Sequence, residues 1–185
     1  GCEPRPVLME AEVVLFACPS KALRETCRKV VSHLDAAWNA RAFLALCKGL
    51  DPETHQLPHE VLREELGEKV AVGYLTGPTC AREVAEGKPA AMVLAVEGEE
   101  ALIVATQRAC STESLRVYRS DDLRGVGFGS CLKNVYAIAA GIGDGLSLGD
   151  NARAALLTRG LSEMVELGQQ LGGQRETYYG LSGFG

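Results

Sequence analysis

No apolar run in these 185 residues approaches the length of a membrane span, and Gly1–Leu8 lacks the hydrophobic core of a signal peptide. An excess of basic residues is missing too. Asp and Glu number 24 against 19 Lys and Arg, a formal net charge of −5, which argues against a nucleic-acid or anionic-membrane partner while leaving room for a local basic pocket. No CxxC pair occurs among the seven cysteines (2, 18, 27, 47, 80, 110, 131), and several stand inside apolar runs, so they read as free thiols in a reducing cytosol. HExxH, GxxxxGK(S/T) and GxSxG are absent. His33, His55 and His59 fall in polar segments that read as exposed, and Pro58 weakens any helix that would bring His55 and His59 to one face. No metal site is expected.

What is present alternates strand and helix. Glu12–Cys18 reads as a strand, and Lys21–Leu34 as a helix with Leu23, Cys27, Val30 and Val31 on one face. Strand Ala42–Cys47, helix Pro58–Leu66 and strand Val70–Leu75 follow, then a short helix Cys80–Glu86. Strands Ala90–Val96 and Leu115–Arg119 flank a helix Glu99–Cys110. This is the pattern of an open, mostly parallel α/β sheet. From Asp121 the pattern is helical: helix Asp121–Gly141, a bend Gly141–Gly149, and helix Asp150–Leu171 with Asp150 as N-cap. A boundary near Ser120 therefore divides an α/β part, 1–120, from a helical part, 121–185, and clefts between such parts are where ligands bind.

One residue in the second part needs a reason. Val126–Gly143 carries a single charge, Lys133, among Val126, Leu132, Val135, Ile138, Ala139 and Ile142, a run that reads as a buried helix. An ammonium held in such a wall loses hydration, and a lysine tuned that way can pass a proton. The alternative is that Lys133 snorkels, its methylenes on apolar surface and its head in water. In open α/β sheets, ligands gather beyond the carboxyl ends of the strands. Two strand ends are informative there: Lys48-Gly49 after the second strand and Gly77-Pro78-Thr79 after the third. On spacing alone, Lys48 is equally well a solvated strand-end lysine and Gly77-Pro78 an ordinary turn. Cys47 and Cys80, beside this edge with no histidine nearby, read as packing.

Four segments together resemble a known family. They are LCKGL (Leu46–Leu50), YLTGPTCAREVAEGKPAA (Tyr74–Ala91), LKNVYAIAAGIGDGLSLGDNARAALLTRGLSEM (Leu132–Met164) and YYGLSGFG (Tyr178–Gly185). The chain is similar over nearly its whole length to the NAD(P)-dependent sn-glycerol-3-phosphate dehydrogenases of bacterial type. The resemblance implies a dinucleotide-binding sheet followed by a helical substrate domain. It also implies hydride transfer between NAD(P)H and dihydroxyacetone phosphate to give glycerol 3-phosphate, feeding glycerophospholipid synthesis. Under it Lys133 matches the general acid/base, and Lys48 the lysine that contacts substrate and nicotinamide. Gly77 and Thr79 match substrate-binding positions and Ala81 a cofactor-contacting one; Asn134, next to Lys133, orients substrate hydroxyls. NAD and NADP both stay open as cofactors.

Members of the family also carry a strand, a glycine-rich turn and a helix upstream, and an Asp and a Ser-Arg-Asn cluster downstream; these are not in the 185 residues. The expectation is therefore an incomplete Rossmann-like sheet lacking its first βαβ unit, followed by the start of an all-α substrate domain, with little or no turnover by this polypeptide alone. A strand left at the sheet edge invites pairing between copies, so homodimerisation is a further expectation. A non-catalytic binding or assembly module of the same fold is the alternative of a different class.

Overall fold

The computed structural model describes residues 5–33 and 38–185. A one-and-a-half-turn helix, α1 (Arg5–Glu10), leads into β1 (Val13–Phe16) and α2 (Ser20–His33). Then come β2 (Ala42–Ala45), α3 (Pro58–Leu66), β3 (Ala71–Thr76), the short α4 (Ala81–Ala85), β4 (Ala90–Val96), α5 (Glu100–Cys110) and β5 (Leu115–Ser120). Two long helices, α6 (Leu123–Gly145) and α7 (Gly149–Gln170), and a 3-10 turn at Arg175–Tyr179 complete the chain. The expected end of α2 at Leu34 lies outside the described residues. No helix among those described is long and apolar enough to cross a membrane.

The strands form one sheet in chain order, β1-β2-β3-β4-β5, parallel except that β3 and β4 run antiparallel. Crossovers of one hand explain where the helices go. α2 and α3 cover one face, where Leu23, Cys27, Val61 and Leu62 pack with Phe43, Val72, Tyr74 and Val126 of α6. β4 and β5 run the other way, so the same hand carries α5 to the opposite face, where Ile103 meets Leu44, Leu75, Leu94 and Val117. Alternate residues of β3 thus serve two cores, which is why the strand is apolar throughout.

Several expectations are corrected. The stretch Val126–Gly143 is not a uniformly buried helix: α6 is buried only over Gly125–Ser130, while Val135, Ile138 and Ile142 are 60, 66 and 58% exposed. The helix also packs on α7 and the 3-10 turn, where Phe128, Leu132 and Tyr136 join a third cluster with Met164 and Tyr178. The bend is shorter than expected, because α6 continues to Gly145 and α7 begins at Gly149. Asp150 lies in the first turn of α7 and is not its cap. Asp122 does cap a helix: its side chain accepts the Gly125 N–H at 2.8 Å at the head of α6. Val31, one turn beyond Cys27 on the same face, is exposed near the end of α2.

His59 is also not where the polar wording of its segment placed it. Pro58 begins α3 instead of weakening it, since a first-turn residue needs no N–H, and Glu60 accepts the Leu57 N–H at 2.8 Å. That sets His59 inside, 7% exposed, with Nδ1 2.9 Å from the Tyr74 hydroxyl. Burial holds its imidazole below the usual histidine range.

Candidate functional site

Two lysines from separate elements converge at the carboxyl end of β2 and β3. Lys48 follows β2 and donates to the Gly77 carbonyl at 3.2 Å. Lys133, from the middle of α6, donates to the Leu181 carbonyl at 3.2 Å and lies 3.5 Å from that of Gly185. Both amines open on a cavity of about 310 Å³, lined also by Pro78, Asn134, Tyr136, Met164 and Phe184. Among the described residues neither amine forms an ion pair with a carboxylate. Each keeps its charge against neutral oxygens alone.

The turn that accepts Lys48 can only be built with glycine. A Cβ on Gly77 would stand 2.6 Å from the Ala91 carbonyl oxygen and 3.0 Å from Met92 Cα, so the loop leaving β3 presses directly on the β4 backbone. Thr79, half-buried, folds its N–H back to the Gly77 carbonyl at 2.9 Å. Gly77 thereby holds both the loop and the Lys48 amine through one oxygen.

Electrostatics follow from this arrangement. Burial strips water from the Lys133 ammonium, and the like charge of Lys48 adds to the effect, so its pKa falls from 10.5 to about 8. Burial lowers Lys48 as well. Cys47, by contrast, is an apolar packing group whose thiol burial pushes up to about 12. Cys80 is exposed and does not pack. Among the described residues no three His, Cys, Asp or Glu side chains converge as a metal would require.

Of the residues singled out from sequence, Lys48, Lys133 and Asn134 share the cavity and Gly77 is tied to it. Thr79 stands in the adjoining turn, and Ala81 is exposed at the start of α4, outside the lining. Tyr136, Met164 and the Gly183-Phe184-Gly185 segment were not anticipated as lining. Tyr136 had a local signal, since it lies one helical step beyond Lys133 on the same face. Met164 had none.

This cleft coincides with a match to known proteins. A model of the NAD-dependent glycerol-3-phosphate dehydrogenase N-terminus matches residues 2–102, and one of the same enzyme's C-terminus matches residues 122–185. The chain belongs to the NAD-dependent glycerol-3-phosphate dehydrogenase family. A glycerol-3-phosphate dehydrogenase (NAD(P)+) of Ralstonia nicotianae is 47% identical over 180 residues, covering 95% of this chain and 52% of that protein. One of Cupriavidus necator is 49% identical, over 94% and 52% of the two chains. The crystal structure of glycerol-3-phosphate dehydrogenase from Coxiella burnetii superposes with a TM-score of 0.89 at 38% identity, over all of this chain and 55% of that one. The chain spans about half the length of the curated relatives it matches.

Proposed function

We propose that the protein to which these residues belong reduces dihydroxyacetone phosphate to sn-glycerol 3-phosphate with NADH or NADPH, and catalyses the reverse oxidation, using Lys133 as proton donor and acceptor. The observation that carries this reading is a partly desolvated amine with a pKa near 8 and no carboxylate partner among the described residues, facing a cavity beside a second lysine. The family membership supports it.

A bound nicotinamide supplies the hydride. The chain's own residues do the rest. Below its pKa the Lys133 ammonium holds a proton toward the cavity; as hydride reaches the carbonyl carbon, the C=O π pair moves to oxygen and takes that proton, leaving an alcohol and a neutral amine. The Leu181 carbonyl orients the amine without neutralising it. Two cations with no carboxylate partner among the described residues also make the cavity attractive to a dianionic phosphate ester, and Lys48, held by the Gly77 carbonyl, is assigned the contact with substrate and nicotinamide. Asn134, exposed at the rim, is suited to the substrate hydroxyls, and Gly77 and Thr79 to its backbone contacts. Ala81 is assigned to the cofactor side. Residues 1–120 then form the cofactor half and 121–185 the beginning of the substrate half. The cysteines among the described residues are all free, which supports a cytoplasmic setting.

The test is turnover by the intact protein. Lys133→Met should lower kcat for reduction by about 10²- to 10⁴-fold while NADH binding persists. Reduction should weaken, and oxidation strengthen, as pH rises through about 8. Normal turnover by the methionine variant would overturn the assignment.

A further inference from the structure

We propose that the buried hydroxyl pair Thr76–Ser130 is the positioning contact that holds the Lys133 amine over the Gly77 turn. This deepens the proton-donor reading and rests on it.

The geometry begins on β3. Tyr74 and Thr76 are two residues apart and share the face turned toward α6. On the helix, Gly127 and Ser130 are three apart, and Lys133 is the next step of the same row. The rows interlock at two points. A Cβ on Gly127 would lie 2.7 Å from the Tyr74 hydroxyl, so the tyrosine ring packs directly on the helix backbone there. Ser130 Oγ and Thr76 Oγ1 are 3.0 Å apart, and both residues are 1% exposed. The third point of the row, Lys133, projects past the last residue of the strand, into the cavity.

The pair is shared between helix and strand. Ser130 Oγ is also 2.8 Å from the Val126 carbonyl, and a hydroxyl has a single proton. Ser130 donates across to Thr76 Oγ1 or along its own helix to the Val126 carbonyl. Each group depends on the next, and water does not reach either to substitute.

The buried part of α6 makes such a lock necessary. Gly127 leaves the sheet-facing side of the helix little side-chain relief there, and a smooth helix face can slide or roll against a sheet without large loss of contact. A directional bond resists both motions. Its two ends are also the roots of the site. Thr76 precedes Gly77, whose carbonyl holds Lys48, and Ser130 precedes Lys133 by one helical step.

The experiment compares Ser130→Ala, Thr76→Val, the double variant and Thr76→Ser in the intact protein. Ser130→Ala and Thr76→Val should each lower kcat for reduction by about 10- to 100-fold, with KM for dihydroxyacetone phosphate little changed. The double variant should lose little more than either single one, because one bond is broken in all three. Thr76→Ser keeps the hydroxyl and should restore kcat. The pH limb assigned to Lys133 should move upward in Ser130→Ala, as water reaches the amine, and stay in place in Thr76→Ser. Alanine is well tolerated in helices, so Ser130→Ala decides the matter if Thr76→Val does not fold. Unchanged kcat and pH limb in a folded Ser130→Ala variant, alongside an inactive Lys133→Met, overturn the positioning role alone; an active Lys133→Met overturns the proton-donor reading.

Discussion

Removing the charge of Lys133 should change stability in a way that depends on pH. Its pKa is 10.5 when free and about 8 in the fold. Between those values the unfolded chain binds more protons than the folded one, so stability rises with pH across that window. Folding carries a penalty that is complete below about pH 8, fades toward 10.5 and is absent above it. Taken whole, the shift corresponds to about 3 kcal/mol; the water that the half-buried amine retains reduces this to about 1–2 kcal/mol. Lys133→Met keeps an unbranched chain and carries no penalty. Urea titrations of the ligand-free intact protein should therefore favour the variant more at about pH 7 than at about pH 11, by about 1–2 kcal/mol. Loss of the hydrogen bond to Leu181 is common to both conditions and largely cancels in that difference. A stability difference that is flat across the range, or that grows in the variant's favour with pH, would refute the buried-ammonium argument.

Two further perturbations report on the frame around the site. Asp122 accepts from Gly125 N at 2.8 Å, Gln174 N at 2.7 Å and Thr177 Oγ1 at 2.6 Å, tying the head of α6 to the 3-10 turn. Asp122→Ala should cost about 2–4 kcal/mol in chemical denaturation, and a loss below about 1 kcal/mol would show that the three bonds are not cooperative. His59 is held below its ordinary 6.5 by burial, so the unfolded chain takes up the extra proton first and stability falls as pH drops through 6.5. His59→Gln should flatten that part of the stability curve; an unchanged slope would assign it to other groups.

Elements with local punctuation were legible in the chain. Pro58 marks the first turn of α3, and Ala90–Val96 stands between a Gly-Lys-Pro turn and a Glu-Gly pair, so both elements fall on the expected residues. Strand direction was not legible: an apolar run is the same read either way, and nothing in Ala90–Val96 announces that it opposes β3. Periodicity likewise located α6 without saying how much of it is covered, and Ile138 and Ile142 look from sequence like core residues. His59 was misread because its burial comes from Tyr74, a partner fifteen residues away. In the site, Lys133 stood out as a lone charge in an apolar helix. Lys48 was ambiguous until the Gly77 carbonyl was seen to hold it, and Thr76 and Ser130 carried no signal, since a hydroxyl in an apolar run is ordinary until its partner is known.

The reversed pair β3–β4 acts as a switchback. Ser120 pairs with Ala95, and Ala95 with Tyr74, so the chain leaves the sheet two residues short of the Thr76 end of β3. From there α6 runs along β3 in the same direction, and the ten residues from Leu123 to Lys133 advance it by about 15 Å, past the edge where β2 and β3 finish. With β4 and β5 turned the other way, the last strand would end beside the cleft and the helix after it would head off the molecule. One antiparallel step in an otherwise parallel sheet thus gives α6 the runway that brings its amine to Lys48.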